Sequence, residues 1–199
     1  MSTACQGREI GSKPISSETL VFSDDFEREA IGQDWKRGVG ESGRGTWRIV
    51  DGQIDGRGLK NDPLWLTKPI PENAKITFNA TALTPEGDIK VELYGDGKQH
   101  ASGYVFIFGG WKNSLDVIAR LDEHGKDRVE RKSVKVKPNV TYAMEIMRRG
   151  GELTWKVDGK SFPTFKDAAP LTGERHGYFA FSNWSAPVRF DNFKVYKLP

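Results

Sequence analysis

The chain has 199 residues, of which 37% are hydrophobic, and its 30 basic and 27 acidic side chains leave a formal net charge of +3. A single domain of this length buries roughly 70% of the surface of its unfolded chain, so it needs neither metals nor disulfides for a stable core. Basic and acidic residues are interspersed, which argues against nucleic-acid binding, and no apolar run approaches the roughly 20 residues of a transmembrane segment.

Residues 1–18 are small, polar and aperiodic, and we expect a flexible N-terminal arm there. The only cysteine, Cys5, follows Ser2, Thr3 and Ala4. This run is similar to the end of a bacterial lipoprotein cleavage site, which favours a lipid anchor at Cys5 and a location in the cell envelope, the periplasm or the secreted fraction. The apolar segment of that pattern is missing, so a trimmed lipoprotein and an accidental likeness both stay open.

After the arm, the sequence predicts one domain over residues 19–199, built almost entirely of strands. Short apolar or alternating runs are separated by turn dipeptides such as Asp-Gly and Gly-Gly, and the segment 26–35 is expected to hold a single helical turn at most. The predicted strands are 20–23, 46–50, 53–55, 64–67, 75–83, 88–94, 103–108, 115–121, 128–136, 141–148, 153–157, 178–182 and 188–197. Many short strands with glycine-rich turns indicate a β-sandwich.

Two of the predicted strands carry polar side chains on one face. In GDIKVELYGDG (87–97), two-residue alternation separates the apolar residues from a polar set: Asp88, Lys90, Glu92 and Tyr94. In LDVIARLDEHG (115–125), it separates Leu115, Val117, Ala119 and Leu121 from a second set: Asp116, Ile118, Arg120 and Asp122. Glu123 and His124 follow at the end of that strand. Such a face is either solvated surface or a groove for a polar ligand.

Carboxylates near this face are the candidates for catalysis. Glycosidases place two carboxyl groups roughly 5–10 Å apart, and neighbouring strands supply separations of that size. An enzyme of this kind would use Glu92, Asp122 or His124. The alternative is that these side chains form cross-strand ion pairs worth roughly a few tenths of a kcal/mol each.

Cationic and aromatic side chains on the polar face are the candidates for binding. The planar fork of Arg120 suits carboxylates and sugar hydroxyls, and Lys90 and Tyr94 share the face of Glu92. These residues favour a saccharide as the ligand, because charged groups bind sugar hydroxyls and an aromatic ring packs against the apolar face of a pyranose.

Five of the six tryptophans divide by position. Trp47, Trp65 and Trp155 sit inside alternating strands and are predicted to lie in the core. Trp111 follows two glycines and Trp184 lies in SNWSAP, so both are expected in loops. Large aromatic residues in loops indicate either a binding surface or a cap on the sandwich.

A metal site is a weaker candidate, and the sequence calls for no other cofactor. Asp25 and Asp191 lie near opposite ends of the predicted domain, and pairing of the terminal strands would bring their oxygens together, as Ca²⁺ requires. The alternative, which we favour, is that these carboxylates accept hydrogen bonds from nearby turns.

Five segments together resemble the concanavalin A-like (LamG/glucanase-type) jelly rolls: VFSDDFERE, GTWRIVDGQI, GDIKVELYGDG, LTWKVDGK and RFDNFKVYKL. More narrowly, the chain resembles uncharacterised bacterial secreted or lipoprotein domains of glycoside-hydrolase type and 3-keto-disaccharide hydrolase-like domains. The resemblance spans about residues 20–198. It implies an all-β jelly-roll sandwich of two antiparallel sheets with a sugar-binding groove. The Glu-x-Asp-x-x-Glu motif of family 16 glucanases is absent, which argues against that activity.

Three functions remain open on the sequence. The first is a carbohydrate-binding jelly roll that holds an oligo- or polysaccharide in a polar and aromatic groove. The second is a glycoside hydrolase or related sugar-cleaving enzyme that uses the groove carboxylates. The third is an interaction domain for a partner other than a sugar, which a flat polar face would favour.

Overall fold

Sixteen strands and one four-residue turn make up the part of the chain that the computed structural model describes, residues 18–41 and 44–199. The strands are β1 (Thr19–Asp24), β2 (Trp35–Arg37), β3 (Thr46–Val50), β4 (Gln53–Arg57), β5 (Leu64–Leu66), β6 (Ala74–Ala82), β7 (Ile89–Gly95), β8 (Tyr104–Gly109), β9 (Leu115–Arg120), β10 (Val129–Lys132), β11 (Thr141–Arg149), β12 (Glu152–Val157), β13 (Lys160–Ser161), β14 (Phe165–Lys166), β15 (Tyr178–Ser182) and β16 (Val188–Lys197). The turn, α1 (Gly110–Asn113), joins β8 to β9.

Two antiparallel sheets pack face to face as a jelly-roll sandwich. The first sheet has the order β13-β12-β11-β6-β16-β4-β3, with β1 added beside β16 and β14 beside β12. The second has the order β10-β9-β8-β7-β15-β5-β2. The all-β sandwich predicted from the sequence is therefore confirmed.

Alternation of apolar residues decides which side of each strand meets the core. In β6, Ile76, Phe78 and Ala80 point inward, while the intervening residues are half-buried on the outer face. In β7 and β8, every residue is buried. These two strands lie at the centre of the second sheet, between the core on one face and further side chains on the other.

Aromatic rings fill much of the space between the sheets. Phe181 stacks on Phe190 at 4.3 Å and on Trp35 at 5.1 Å between ring centroids, and Phe179 packs on Phe193 at 4.6 Å. Burial of each such side chain contributes roughly 1.5–3 kcal/mol. This packing fixes the second sheet, whose outer face carries the site described below.

Every predicted strand is present, with shifts of boundary. The largest shift concerns 128–136, where the strand ends at Lys132, because the backbone of Val136 instead bonds the side chain of Asn113. The sequence missed the short strands β2, β13 and β14. Cys5 and residues 1–17 of the predicted arm lie outside the described residues. No helix in the described ranges has the length and apolar character needed to cross a bilayer.

Candidate functional site

A cavity of about 620 Å³ opens on the face of the second sheet that is turned away from the core. Its floor comes from β7 and β8, and its walls come from the loops around them. The residues that matter most for its chemistry are Asp88, Lys90, Trp111, Glu123, His124 and Trp184. The volume falls within the range typical of small-ligand pockets.

A buried ion pair forms the floor of the cavity. The Lys90 side chain is 1% exposed, and its Nζ donates to Glu123 Oε2 at 2.8 Å and to Asn61 Oδ1 at 2.7 Å. Burial alone raises the pKa of the Glu123 carboxyl, but the Lys90 ammonium, with smaller effects of His100 and His124, holds it below its usual value. The floor therefore presents an ionised carboxylate beside an ammonium group.

Asp88 lies two residues before Lys90, at the entrance to β7, and is 8% exposed. Its Oδ2 accepts a hydrogen bond from the backbone N–H of Trp184, which ties β7 to the loop after β15. Burial raises the pKa of the Asp88 carboxyl above its usual value, while Lys90 and the Trp184 N–H act in the opposite direction. Asp88 is thus a carboxyl group whose charge is costly unless another group compensates it.

One wall is the turn α1, whose backbone has an unusual left-handed conformation. Trp111, Lys112 and Asn113 have φ values of 49°, 57° and 61°, and this region costs an ordinary residue roughly 1–2 kcal/mol. The buried Asn113 side chain compensates: its Nδ2 donates to the carbonyls of Pro85 and Val136, and its Oδ1 accepts from the Val136 N–H. The turn is held in place by these three bonds and presents Trp111 and Lys112 to the cavity.

The two cavity tryptophans differ in how much of their rings is available. The Trp111 ring lies under the Arg128 guanidinium at 4.8 Å and meets His124 edge-on at 5.5 Å. Trp184 is 42% exposed, with Lys60 Nζ 5.7 Å from its ring centre. Trp184 is therefore the better surface for a ligand to pack against, whereas the Trp111 ring, which already contacts Arg128 and His124, forms a side of the cavity.

The orientation of β9 differs from the sequence prediction. Val117 and Ala119 lie on the cavity side, in a small apolar cluster with Val105 and Ile107, whereas Ile118 points into the main core. Hydrophobic alternation cannot tell the core from an apolar outer face, and here both faces of the strand are largely apolar. The face of β9 that carries Asp116, Ile118 and Arg120, which the sequence predicts to be the polar ligand face, therefore faces the core.

Arg120 is consequently not among the residues that line the cavity, which corrects the expectation that it binds the ligand from the polar face. Its Nε donates to Asp167 Oδ2 at 2.8 Å, and the Tyr104 hydroxyl donates to the same oxygen at 2.7 Å. Burial and this hydrogen bond to Asp167 raise the pKa of Tyr104 to about 12. The three groups form a structural cluster at the edge of the sandwich.

Tyr94 is also misplaced by simple alternation. A β-bulge puts it between Leu93 and Gly95, which pair with consecutive residues of β15, and its own φ is 57°. The extra residue turns the ring into the core, where the guanidinium of Arg148 lies 4.1 Å from its centre. Tyr94 therefore does not share the face of Lys90.

Of the three catalytic candidates, one lines the cavity. His124 does so, with its Nε2 3.6 Å from Glu123 Oε1. Glu92 is fully buried and does not line the cavity. Its carboxylate accepts from the Ala101 N–H at 2.8 Å and lies 2.7 Å from His100 Nδ1. Asp122 is exposed, and its Oδ1 accepts the backbone N–H of His124.

A strap of backbone covers the part of the sheet face that holds Glu92. The N–H of Val39 donates to Lys98, and the N–H of His100 donates to Val39, so two loops close over this region. Trp65 lies beneath the strap, buried but outside the main core, while Trp47 and Trp155 are in the core as predicted. The cavity is the portion of the face that the strap leaves open.

The calcium hypothesis finds no donor cluster. The terminal strands pair as expected, but Asp25 accepts from the Glu27 N–H and Asp191 accepts from Gln53 and Asn192. Within residues 18–41 and 44–199, no group of three or more His, Cys, Asp or Glu side chains is arranged to hold a metal ion. Both carboxylates have hydrogen-bond partners in the structure.

The sequence places Asp88 on the polar face and Glu123 at the end of the second strand, among the carboxylates near that face, but does not include them in the predicted site; both line the cavity. The signal for Asp88 is its position two residues before Lys90, although in the structure it precedes β7 and has a left-handed φ of 60°. The signal for Glu123 is its position at the end of the strand 115–121, but only the folded chain brings the loop after β9 onto Lys90 of β7.

Comparisons with known proteins agree with this architecture. No protein-family model matches the sequence. The carbohydrate-binding module CBM66 from Bacillus subtilis is 14% identical, with a TM-score of 0.65 and coverage of 84% of this chain and 98% of the module. SCLam, a non-specific endo-β-1,3(4)-glucanase of family GH16, is 11% identical, with a TM-score of 0.65 and coverage of 93% of each chain. The jelly-roll fold implied by the sequence resemblance is thus confirmed.

A sequence relative comes from a much longer protein. The extracellular exo-α-L-arabinofuranosidase of Streptomyces chartreusis is 22% identical over 150 residues, which cover 75% of this chain and 18% of that enzyme. This chain therefore spans less than a fifth of that relative.

Proposed function

We propose that this protein is a carbohydrate-binding domain and that the cavity on the second sheet holds a saccharide. The observation that carries the proposal is the combination of an exposed loop tryptophan, Trp184, with a buried polar floor of Asp88, Lys90 and Glu123 in a single cavity. A sugar has a weakly polar C–H face and a rim of hydroxyls, and this cavity offers a partner for each. The similarity in fold to the carbohydrate-binding module CBM66 supports the same proposal.

A glycan array probed with the full chain tests this proposal. We expect binding to a restricted set of oligo- or polysaccharides, and loss of that binding in Trp184→Ala. Tyr196→Ala is the matched control, because Tyr196 lies on β16 of the other sheet under Lys75. A chain that is folded by circular dichroism and binds no glycan would contradict the proposal.

Sugar cleavage is the second candidate function. The observation in its favour is that His124 lines the cavity beside the ionised Glu123, which gives a titratable ring near a carboxylate. Incubation of array-positive oligosaccharides with the chain, followed by chromatography of the products, tests it. We expect His124→Asn to abolish turnover and to keep binding if the chain is an enzyme; intact sugars after incubation with the unaltered chain would reject cleavage.

We also propose an extracytoplasmic location, with lipidation at Cys5. The support is the run from Ser2 to Cys5 together with the extracellular relative from Streptomyces chartreusis. Metabolic labelling of the protein, expressed in a bacterial host, with a fatty-acid probe tests the anchor, with Cys5→Ser as the control. Equal labelling of the two forms would contradict the role of Cys5.

A further inference from the structure

The floor of the cavity has unused hydrogen-bonding capacity at two neighbouring side chains. An ammonium group has three N–H donors, and Lys90 Nζ donates two hydrogen bonds, to Asn61 and Glu123. Asp88 Oδ2 accepts the Trp184 N–H, and Asp88 Oδ1 has no hydrogen-bond partner among residues 18–41 and 44–199. One donor and one acceptor are therefore left for a ligand.

These two groups lie side by side. Asp88 directly precedes β7 and has a left-handed φ of 60°, and its side chain lines the cavity together with that of Lys90. The Lys90 ammonium acts on the pKa of the Asp88 carboxyl, so the two charged groups lie close to each other. Both side chains are at least nine-tenths buried, which removes competing water and strengthens any bond they form. Two hydroxyls on adjacent carbons of a sugar match this arrangement, since one donates to Oδ1 and the next accepts from Nζ.

The same contact also fixes where an aromatic platform stands. Because Asp88 Oδ2 accepts the Trp184 N–H, the Asp88 carboxyl lies beside the backbone that carries the indole ring. A sugar ring packed on Trp184 therefore lies in the same cavity as the Asp88 carboxyl. Stacking and hydrogen bonding are thereby directed at the same sugar unit.

Charge around the cavity disfavours an acidic ligand at this position. The lining includes Glu41, Glu86 and Glu123 besides Asp88, against Lys90 and Lys112. Two further cations, Lys60 and Arg128, lie over the rings of Trp184 and Trp111, and Arg128 also donates to the Glu123 carbonyl. A carboxylate brought to Asp88 Oδ1 would meet a second negative charge in a partly buried site, where repulsion is weakly screened.

We infer that the cavity takes a neutral sugar unit, bound through two adjacent hydroxyls by Asp88 and Lys90 while its ring packs on Trp184. This inference rests on the proposed carbohydrate-binding function and specifies its ligand as a neutral glycoside with a vicinal diol. It adds Asp88 to the binding residues and gives it a role distinct from that of Glu123, which orients Lys90.

Saturation-transfer NMR and calorimetry with methyl glycosides test the inference on the unaltered chain. The probes are the methyl glycosides of glucose, galactose, mannose, arabinofuranose and glucuronic acid, followed by the monodeoxy derivatives of the neutral one that binds best. We expect a neutral probe to bind at least about tenfold more tightly than the glucuronide, and removal of either of two adjacent hydroxyls to cost about tenfold or more. Asp88→Asn should also lose affinity, whereas Glu145→Gln on the other sheet should not.

The outcomes separate this inference from the function on which it rests. Equal or tighter binding of the glucuronide, or sensitivity to hydroxyls that are not adjacent, overturns the inference and leaves sugar binding intact. Failure of every methyl glycoside, together with a blank glycan array, overturns the proposed function itself.

Discussion

Lys90 Nζ lies 2.8 Å from Glu123 Oε2, and this contact fastens the loop after β9 to the centre of the second sheet. Both partners are shielded, with side-chain exposures of 1% and 14%. A buried ion pair that loses one partner leaves a charge without compensation, which is costly. The pair is therefore expected to organise the cavity floor as well as to contact a ligand.

Lys90→Met is expected to lower the free energy of unfolding by about 3 kcal/mol, because Glu123 and Asn61 lose their shared donor. Urea denaturation followed by tryptophan fluorescence measures this change. The double variant Lys90→Met/Glu123→Gln should recover part of the loss, since the unpaired charge is then gone. Lys166→Met breaks the exposed pair with Glu152 and serves as the control, with an expected effect below about 0.5 kcal/mol.

Asp88→Asn is expected to stabilise the protein at neutral pH. Burial raises the pKa of Asp88 in the folded protein above its usual 3.8, so Asp88 ionises at a lower pH in the unfolded chain than in the folded one. The free energy of unfolding therefore falls as the pH rises from the unfolded pKa to the folded pKa of Asp88. The amide carries no charge to bury and still accepts the Trp184 N–H. Between pH 3.5 and 7, the melting temperature of the variant should rise relative to that of the unaltered protein. A constant difference across that range would contradict the assignment.

Arg120→Ala is expected to leave saccharide affinity within about twofold, because Arg120 lies outside the cavity. It should lower the free energy of unfolding by about 1–2 kcal/mol, since Asp167 loses its charged partner and keeps the bond from the Tyr104 hydroxyl. Calorimetric titration beside a denaturation curve separates the two effects. A large loss of affinity with unchanged stability would restore Arg120 to the binding site.

Asn113→Asp is expected to loosen the wall that carries Trp111. The substitution keeps the shape of the side chain but removes the amide donors to Pro85 and Val136, which should cost about 2 kcal/mol of stability. Hydrogen exchange at 109–113 should become faster, and saccharide affinity should fall. Asn139→Asp is the control, because Asn139 is also left-handed, with φ of 59°, and is exposed. The same exchange rates in both variants would contradict this role for Asn113.

The strand positions could be predicted from the sequence because alternation and turn chemistry are local signals. Which face of a strand meets the core is a different matter. Val117 and Ala119 are apolar yet face the cavity, and Ile118 between them faces the core. When both faces are apolar, periodicity carries no information about direction.

The floor pair shows what local sequence cannot supply. Lys90 was a binding candidate from the sequence, but its partners Asn61 and Glu123 are 29 and 33 residues away along the chain. The bulge at Tyr94 likewise depends on how β7 pairs with β15. Contacts of this kind arise from the arrangement of loops over the sheet.

The central claim is that the cavity binds a saccharide on Trp184, and calorimetric titration of an array-selected oligosaccharide into the unaltered chain, Trp184→Ala and Tyr196→Ala tests it most directly. We predict saturable binding by the unaltered chain and by Tyr196→Ala, and affinity at least about tenfold weaker in Trp184→Ala. Equal affinity in all three proteins would contradict the account.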